Sequence, residues 1–128
     1  MAQPELKEKV EQLIGENQIL LLMKGTPETP RCGFSMRVVG VLDSLGVEYG
    51  AIDVLPALEP LREATGDISD WRTFPQLYVN GELLGGCDIV EEMFESGELA
   101  SQLGVEQPSE PVAQAEPGQA PPLQIDQG

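Results

Sequence analysis

The chain has 128 residues, with 22 acidic against 7 basic side chains, no histidine and a net charge of −15. An acid excess of that size argues against general nucleic-acid binding, which needs clustered Lys and Arg to neutralise phosphates. Two cysteines are too few for the disulfide framework of a small secreted domain, and no apolar run approaches the ~20 residues of a membrane span.

Leu6, Val10, Leu13 and Ile14 recur at helical spacing and Gly15 to Asn17 supplies a stop, so the first expected element is an amphipathic helix. Met1 to Lys9 has neither the apolar core of a signal peptide nor the basic, acid-poor character of a presequence, and the expected setting is the cytoplasm. Gln18 to Lys24 reads as a buried strand, and Gly25 to Pro30 as a loop that delivers the chain to Cys32. Met36, Val39, Val41, Leu42 and Leu45 supply the apolar face of a second helix, closed by Gly46. Val47 to Val54 is the second strand, followed by a short helix around Leu58 to Thr65. Gln76 to Asn80 and Glu82 to Leu84 form a hairpin around the Asn80-Gly81 turn. Gly85-Gly86 ends it, Asp88 is expected to cap a helix carrying Ile89, Val90, Met93 and Phe94, and Gly97 to Leu103 forms a last short helix.

Beyond Leu103 the composition changes. From Val105 to Gly128 the chain is rich in Pro, Gln, Glu and Ala, has no aromatic residue, and offers only Val105, Val112, Leu123 and Ile125 as larger aliphatic side chains. So little apolar surface cannot offset the ordering entropy, so residues 1–104 are expected to form one domain and 105–128 a disordered tail.

The chemistry concentrates at Cys32-Gly33-Phe34-Ser35. A cysteine placed between an extended segment and an amphipathic run sits at a helix N-terminus, where unpaired N–H groups and the helix dipole favour thiolate over thiol. Ser35 stands where the second cysteine of a Cys-x-x-Cys redox pair would be, so the usual local resolving thiol is missing. All seven basic residues lie between Lys7 and Arg72, and Lys24, Arg31, Arg37, Arg62 and Arg72 fall in or near segments expected around Cys32. A small positive pocket for an anionic ligand follows.

Lys24-Gly25-Thr26-Pro27, Cys32-Gly33-Phe34-Ser35, Thr73-Phe74-Pro75-Gln76 and Gly85-Gly86-Cys87-Asp88-Ile89-Val90 occur in one order over roughly residues 4 to 104. Together they resemble the monothiol, CGFS-type glutaredoxins. The resemblance implies an α/β, thioredoxin-like fold: a four-stranded mixed sheet flanked by helices. It also implies that Cys32 and the thiol of a bound glutathione ligate one iron of a [2Fe–2S] cluster, a second protomer and second glutathione completing the four sulfurs in a bridged homodimer. Lys24 and Arg62 would contact the glycine carboxylate of glutathione, and Thr73, Phe74 and a cis Pro75 would present backbone to its peptide. Cys87 and Asp88 would hold its γ-glutamyl end. Cys87 is otherwise a small buried hydrophobe or a second redox partner of Cys32, not a cluster ligand. The implied function is a carrier that passes clusters to iron–sulfur client apoproteins, with BolA-type proteins as further partners. A glutathione-disulfide oxidoreductase working through Cys32 alone is the alternative. The chain departs from the family at Trp71-Arg72-Thr73, where Trp-Pro-Thr is usual, so Arg72 adds a cation beside the glutathione site.

Overall fold

The apolar run Ile19-Leu20-Leu21-Leu22-Met23 is buried throughout and forms an inner strand of the structure, a computed structural model that describes residues 4–106. In chain order the elements are α1 (Pro4–Glu16), β1 (Ile19–Met23), α2 (Gly33–Leu45), β2 (Gly50–Asp53), a 3-10 turn at Leu55–Ala57, α3 (Leu58–Ser69), β3 (Gln76–Val79), β4 (Glu82–Gly85), α4 (Cys87–Ser96) and α5 (Glu98–Leu103). The four strands form one mixed sheet in the order β2-β1-β3-β4, with β1 parallel to β2 and antiparallel to β3, and β3 antiparallel to β4. This is the α/β, thioredoxin-like arrangement expected from the sequence.

Side chains of a strand alternate between faces, and β1 therefore feeds two cores. Ile19, Leu21 and Met23 pack with Val38, Val41 and Leu42 of α2, Val90 and Phe94 of α4, and Leu99 of α5. Leu20 and Leu22 pack on the opposite face with Val10 and Ile14 of α1 and Leu61 of α3. Because both faces of β1 are covered, the strand reads as a continuous apolar run instead of an alternating one. At the Asn80-Gly81 turn both residues have positive φ, 53° and 85°, the requirement of a two-residue hairpin loop whose twist matches its strands.

Several strand ends shift by one residue, and five larger or chemically relevant details also differ from the sequence reading. The second strand is Gly50–Asp53 and not Val47 to Val54, because β1 offers partners only from Leu20 to Met23; Val47 and Tyr49 instead pack against the core. The helix expected over Leu58 to Thr65 runs on through Gly66 to Ser69, ending where Asp70 turns left-handed at φ 61°. Asp88 does not cap α4: Gly86 is the cap, Cys87 the first helical residue and Asp88 an acid in the first turn. The last helix starts at Glu98, with Gly97 as its cap. Val105, expected to open the tail, belongs to the domain, since its N–H donates to Ala100 C=O at 2.9 Å and its side chain packs on the core. The rest of the expected tail, from residue 107, lies outside the described residues.

Candidate functional site

Residues 25–31 fold back on themselves. Thr26 and Thr29 exchange backbone hydrogen bonds of 3.2 and 3.0 Å, and Arg31 N–H donates to Lys24 C=O at 2.9 Å. Asp53 at the end of β2 anchors the start of this loop, its Oδ1 accepting from Gly25 N–H at 2.9 Å and from Leu55 N–H at 3.0 Å. The loop sets Cys32 down as the N-cap of α2, in extended conformation, with its carbonyl accepting the first helical bond from Met36 at 2.9 Å.

Ser35, the residue in place of a second cysteine, is fully buried, and its Oγ accepts a hydrogen bond from Lys24 N–H at 3.1 Å. It thereby ties the first turn of α2 to the end of β1. Burial pushes the Cys32 thiol up, but the backbone N–H groups of Ser35 and Phe34 aimed at the sulfur, the Lys24 charge and the Ser35 hydroxyl outweigh it, and the pKa lies below the ordinary cysteine value.

Cys32 opens onto a cavity of about 680 Å³. The end of β1 contributes Lys24, the start of α2 Cys32 and Phe34, and α3 contributes Arg62. The loop before β3 adds Trp71, Thr73, Phe74 and Pro75, and the start of α4 adds Gly86, Cys87, Asp88 and Ile89. All eight residues singled out from the sequence thus line one cavity. The Phe74–Pro75 peptide bond is cis. The Phe74 side chain is buried, and no described hydrogen bond involves its backbone, which leaves that edge open to an extended ligand.

Only two of the five cations expected around Cys32 reach the cavity. Lys24 and Arg62 line it, Arg62 also pairing with Glu59 at 2.6 Å. Arg37 instead crosses from α2 to α4 and pairs with Glu91 through two hydrogen bonds, Nε to Oε2 at 2.8 Å and NH2 to Oε1. Arg72 lies over Gly66 of α3, so close that a Cβ on Gly66 would come within 2.8 Å of its guanidinium carbon.

Cys87 faces the same cavity and is 6% exposed. Burial pushes its thiol up, Glu91 and Asp88 add to the rise, and Arg37 opposes it, so Cys87 holds its proton. Gly86 beside it allows close approach: a Cβ there would meet Pro75 C=O at 3.2 Å and the Trp71 ring at 3.8 Å. The cavity therefore offers one partly exposed thiol with a lowered pKa, two cations and an acid, and an open backbone edge.

Comparison with known proteins agrees with this geometry. The glutaredoxin family model matches residues 19–84, more than half of the chain. The chain is 53% identical over 94 residues to a probable monothiol glutaredoxin of Rickettsia typhi, covering 73% of this chain and 84% of that protein. The chain belongs to the glutaredoxin family, among its monothiol members. It is also 55% identical over 98 residues to a monothiol glutaredoxin of Oryza sativa subsp. japonica, covering 77% of this chain; it spans only 20% of that protein's length. A crystal structure of a buckwheat glutaredoxin–glutathione complex aligns with a TM-score of 0.70 at 27% identity, covering 78% of this chain and 88% of that one.

Besides Gly86, three residues of this glutaredoxin's cavity were not singled out as site residues from the sequence: Phe34, Trp71 and Ile89. Phe34 and Ile89 are 55% and 38% exposed and form an apolar rim beside Cys32. A signal existed. The buried stripe of α4 is Cys87, Val90 and Phe94, that of α2 starts Ser35, Val38, Val39, and both rim residues lie off their stripes. An apolar residue off the core-facing stripe next to a helix-capping cysteine marks a contact surface. For Trp71 the motif alone held no such signal.

Proposed function

We propose that this glutaredoxin binds glutathione in the cavity and, with that glutathione and a second copy of itself, carries a [2Fe–2S] cluster to client apoproteins. The observation that carries the reading is the inequality of the two cysteines: one partly exposed thiol with a lowered pKa at the cavity mouth, and one buried thiol that keeps its proton. Glutathione is an anionic tripeptide with two carboxylates and an ammonium group. It matches a cavity with Lys24 and Arg62 for a carboxylate, the Phe74 backbone edge for the peptide, and Asp88 for the ammonium group. The buckwheat neighbour is a glutaredoxin–glutathione complex, which supports glutathione as the ligand.

The donor set fits the cargo. A thiolate is a ligand for iron, and a [2Fe–2S] cluster takes four sulfurs where this chain offers one. Two Cys32 thiolates and two glutathione thiols make up the number, so the holo form is a homodimer bridged at the cavity mouths, with the Phe34 and Ile89 rim excluding water around it. A BolA-type protein in place of the second copy, and a cytoplasmic setting, belong to the same reading.

Anaerobic reconstitution with iron, sulfide and glutathione tests it. Visible absorbance, about two glutathiones per cluster and a dimer on gel filtration are expected, with little stable cluster when dithiothreitol replaces glutathione. A stable monomeric holo protein without glutathione would overturn the reading. Colourless protein with efficient glutathione-dependent disulfide reduction would replace it by the oxidoreductase.

A further inference from the structure

The loop that carries Trp71, Thr73, Phe74 and Pro75 is held by a buried polar chain. Gln76 Nε2 donates to Trp71 C=O at 2.9 Å and to Thr73 C=O at 3.1 Å. Gln76 Oε1 accepts from the Tyr78 hydroxyl at 2.8 Å, and that hydroxyl meets Ser69 Oγ at 2.8 Å. Every member of this chain is partnered. One group attached to it is not: the Trp71 indole N–H is shut off from water and has no acceptor, alone among buried side-chain polar atoms of the described residues. A buried donor left unmade costs free energy, and in a native fold it calls for an explanation.

Its surroundings supply one. Trp71 lines the cavity and its ring lies against Gly86, where a Cβ would come within 4.0 Å of Nε1. Gly86 caps α4 with no side-chain hydrogen bond, so the first N–H groups of that ten-residue helix also lack a side-chain acceptor. Two sets of donors, one from a side chain and one from a helix terminus, thus lie beside Gly86 on the cavity lining. A carboxylate has two oxygens and can accept from both.

Resting on the glutathione reading above, we propose that the Trp71 indole N–H is a ligand contact, donating to the γ-glutamyl carboxylate of glutathione seated at the start of α4. The contact requires the Trp71 ring to turn so that its N–H, shut off from water here, opens to the cavity that the residue lines. The ligand then brings the acceptor that the fold withholds, and Trp71 discriminates for ligands with a carboxylate at this end. Phenylalanine would keep an aromatic ring and lose the donor.

Trp71 is the chain's single tryptophan, so nitrogen-15-labelled protein gives one indole N–H resonance. On titration with glutathione this resonance should move downfield together with the Cys87 and Asp88 amides, whereas cysteinylglycine, which lacks the γ-glutamyl group, should leave it in place. Trp71→Phe should bind glutathione at least tenfold more weakly, with cysteinylglycine binding changed less than twofold. Should Trp71→Phe not fold, the wild-type titration decides by itself. If glutathione shifts the Cys87 and Asp88 amides but leaves the indole resonance unmoved, or if cysteinylglycine moves it equally, the assignment of Trp71 is wrong and glutathione binding stands. If glutathione shifts no resonance at all, the binding reading fails and this inference falls with it.

Discussion

Cys32 and Cys87 stand at the starts of two helices on the same cavity, and they are opposite in character. Cys32, the cap of α2, is partly exposed, is served by the N–H groups of Phe34 and Ser35, and has a lowered pKa. Cys87, the first residue of α4, is buried among apolar neighbours beside Glu91 and Asp88, and its pKa is raised. A helix N-terminus is thus not sufficient to make a thiolate. Desolvation and neighbouring carboxylates reverse its effect, and only the cysteine at the open mouth is fit to attack or to ligate.

The largest consequence is functional. Cys32→Ser should abolish cluster retention and the fast phase of alkylation, while Cys87→Ser should keep both; absorbance after reconstitution and iodoacetamide kinetics followed by mass spectrometry check this. The pH profile sharpens it. Because folding lowers the Cys32 pKa, its alkylation should hold its plateau as pH falls past the ordinary thiol value and decline only through the lowered one. Alkylation of Cys87 should begin only above the ordinary value. Equal rates at the two cysteines would erase the contrast.

Next in size is the charge at the mouth. Lys24→Glu should weaken glutathione binding by tenfold or more, from loss of a charge-assisted hydrogen bond worth ~1.5–3 kcal/mol together with new repulsion of the ligand carboxylate. Arg72→Glu should have much less effect, since Arg72 lies on Gly66 and away from the cavity lining. Calorimetric titration of both variants tests the ranking, and a larger loss for Arg72→Glu would reverse it.

A smaller effect is expected at Ser35. Ser35→Ala leaves the Lys24 N–H without its acceptor and should destabilise the fold by about 1–3 kcal/mol in urea unfolding. It should also move the Cys32 pKa upward, towards that of Cys87, by removing the hydroxyl that helps to lower it. An unchanged Cys32 pH profile in this variant would confine Ser35 to a structural role.

The smallest change acts from the other side. Glu91→Gln removes a carboxylate that raises the Cys87 pKa and releases Arg37, whose charge lowers it. The Glu91 carboxylate acts on Cys87 more strongly than the Arg37 charge does, so Cys87 should alkylate modestly faster at a given pH with its burial unchanged. No change would assign the raised pKa to desolvation alone.

Much of this protein is local and was therefore legible. Asn80-Gly81 forces a two-residue turn, Gly25 to Pro30 forces a loop, and apolar spacing on either side of Cys32 places that residue at a helix start whatever the rest of the chain does. The order of those elements sufficed for the fold, and four short motifs for the family. Properties created by distant partners were not legible. Whether Arg37 serves the cavity or pairs with Glu91 depends on α2 meeting α4, and Arg72 lies over α3 at Gly66 and not on the cavity lining. Trp71 became a site residue only when Gly86 was brought against its ring. Sequence by itself determined where a thiol meets a helix, because capping and turn preferences act within a few residues. Which thiol ionises, and which donors are left waiting for a ligand, only the tertiary structure decided, because desolvation and hydrogen-bond satisfaction are set by whatever the fold packs alongside.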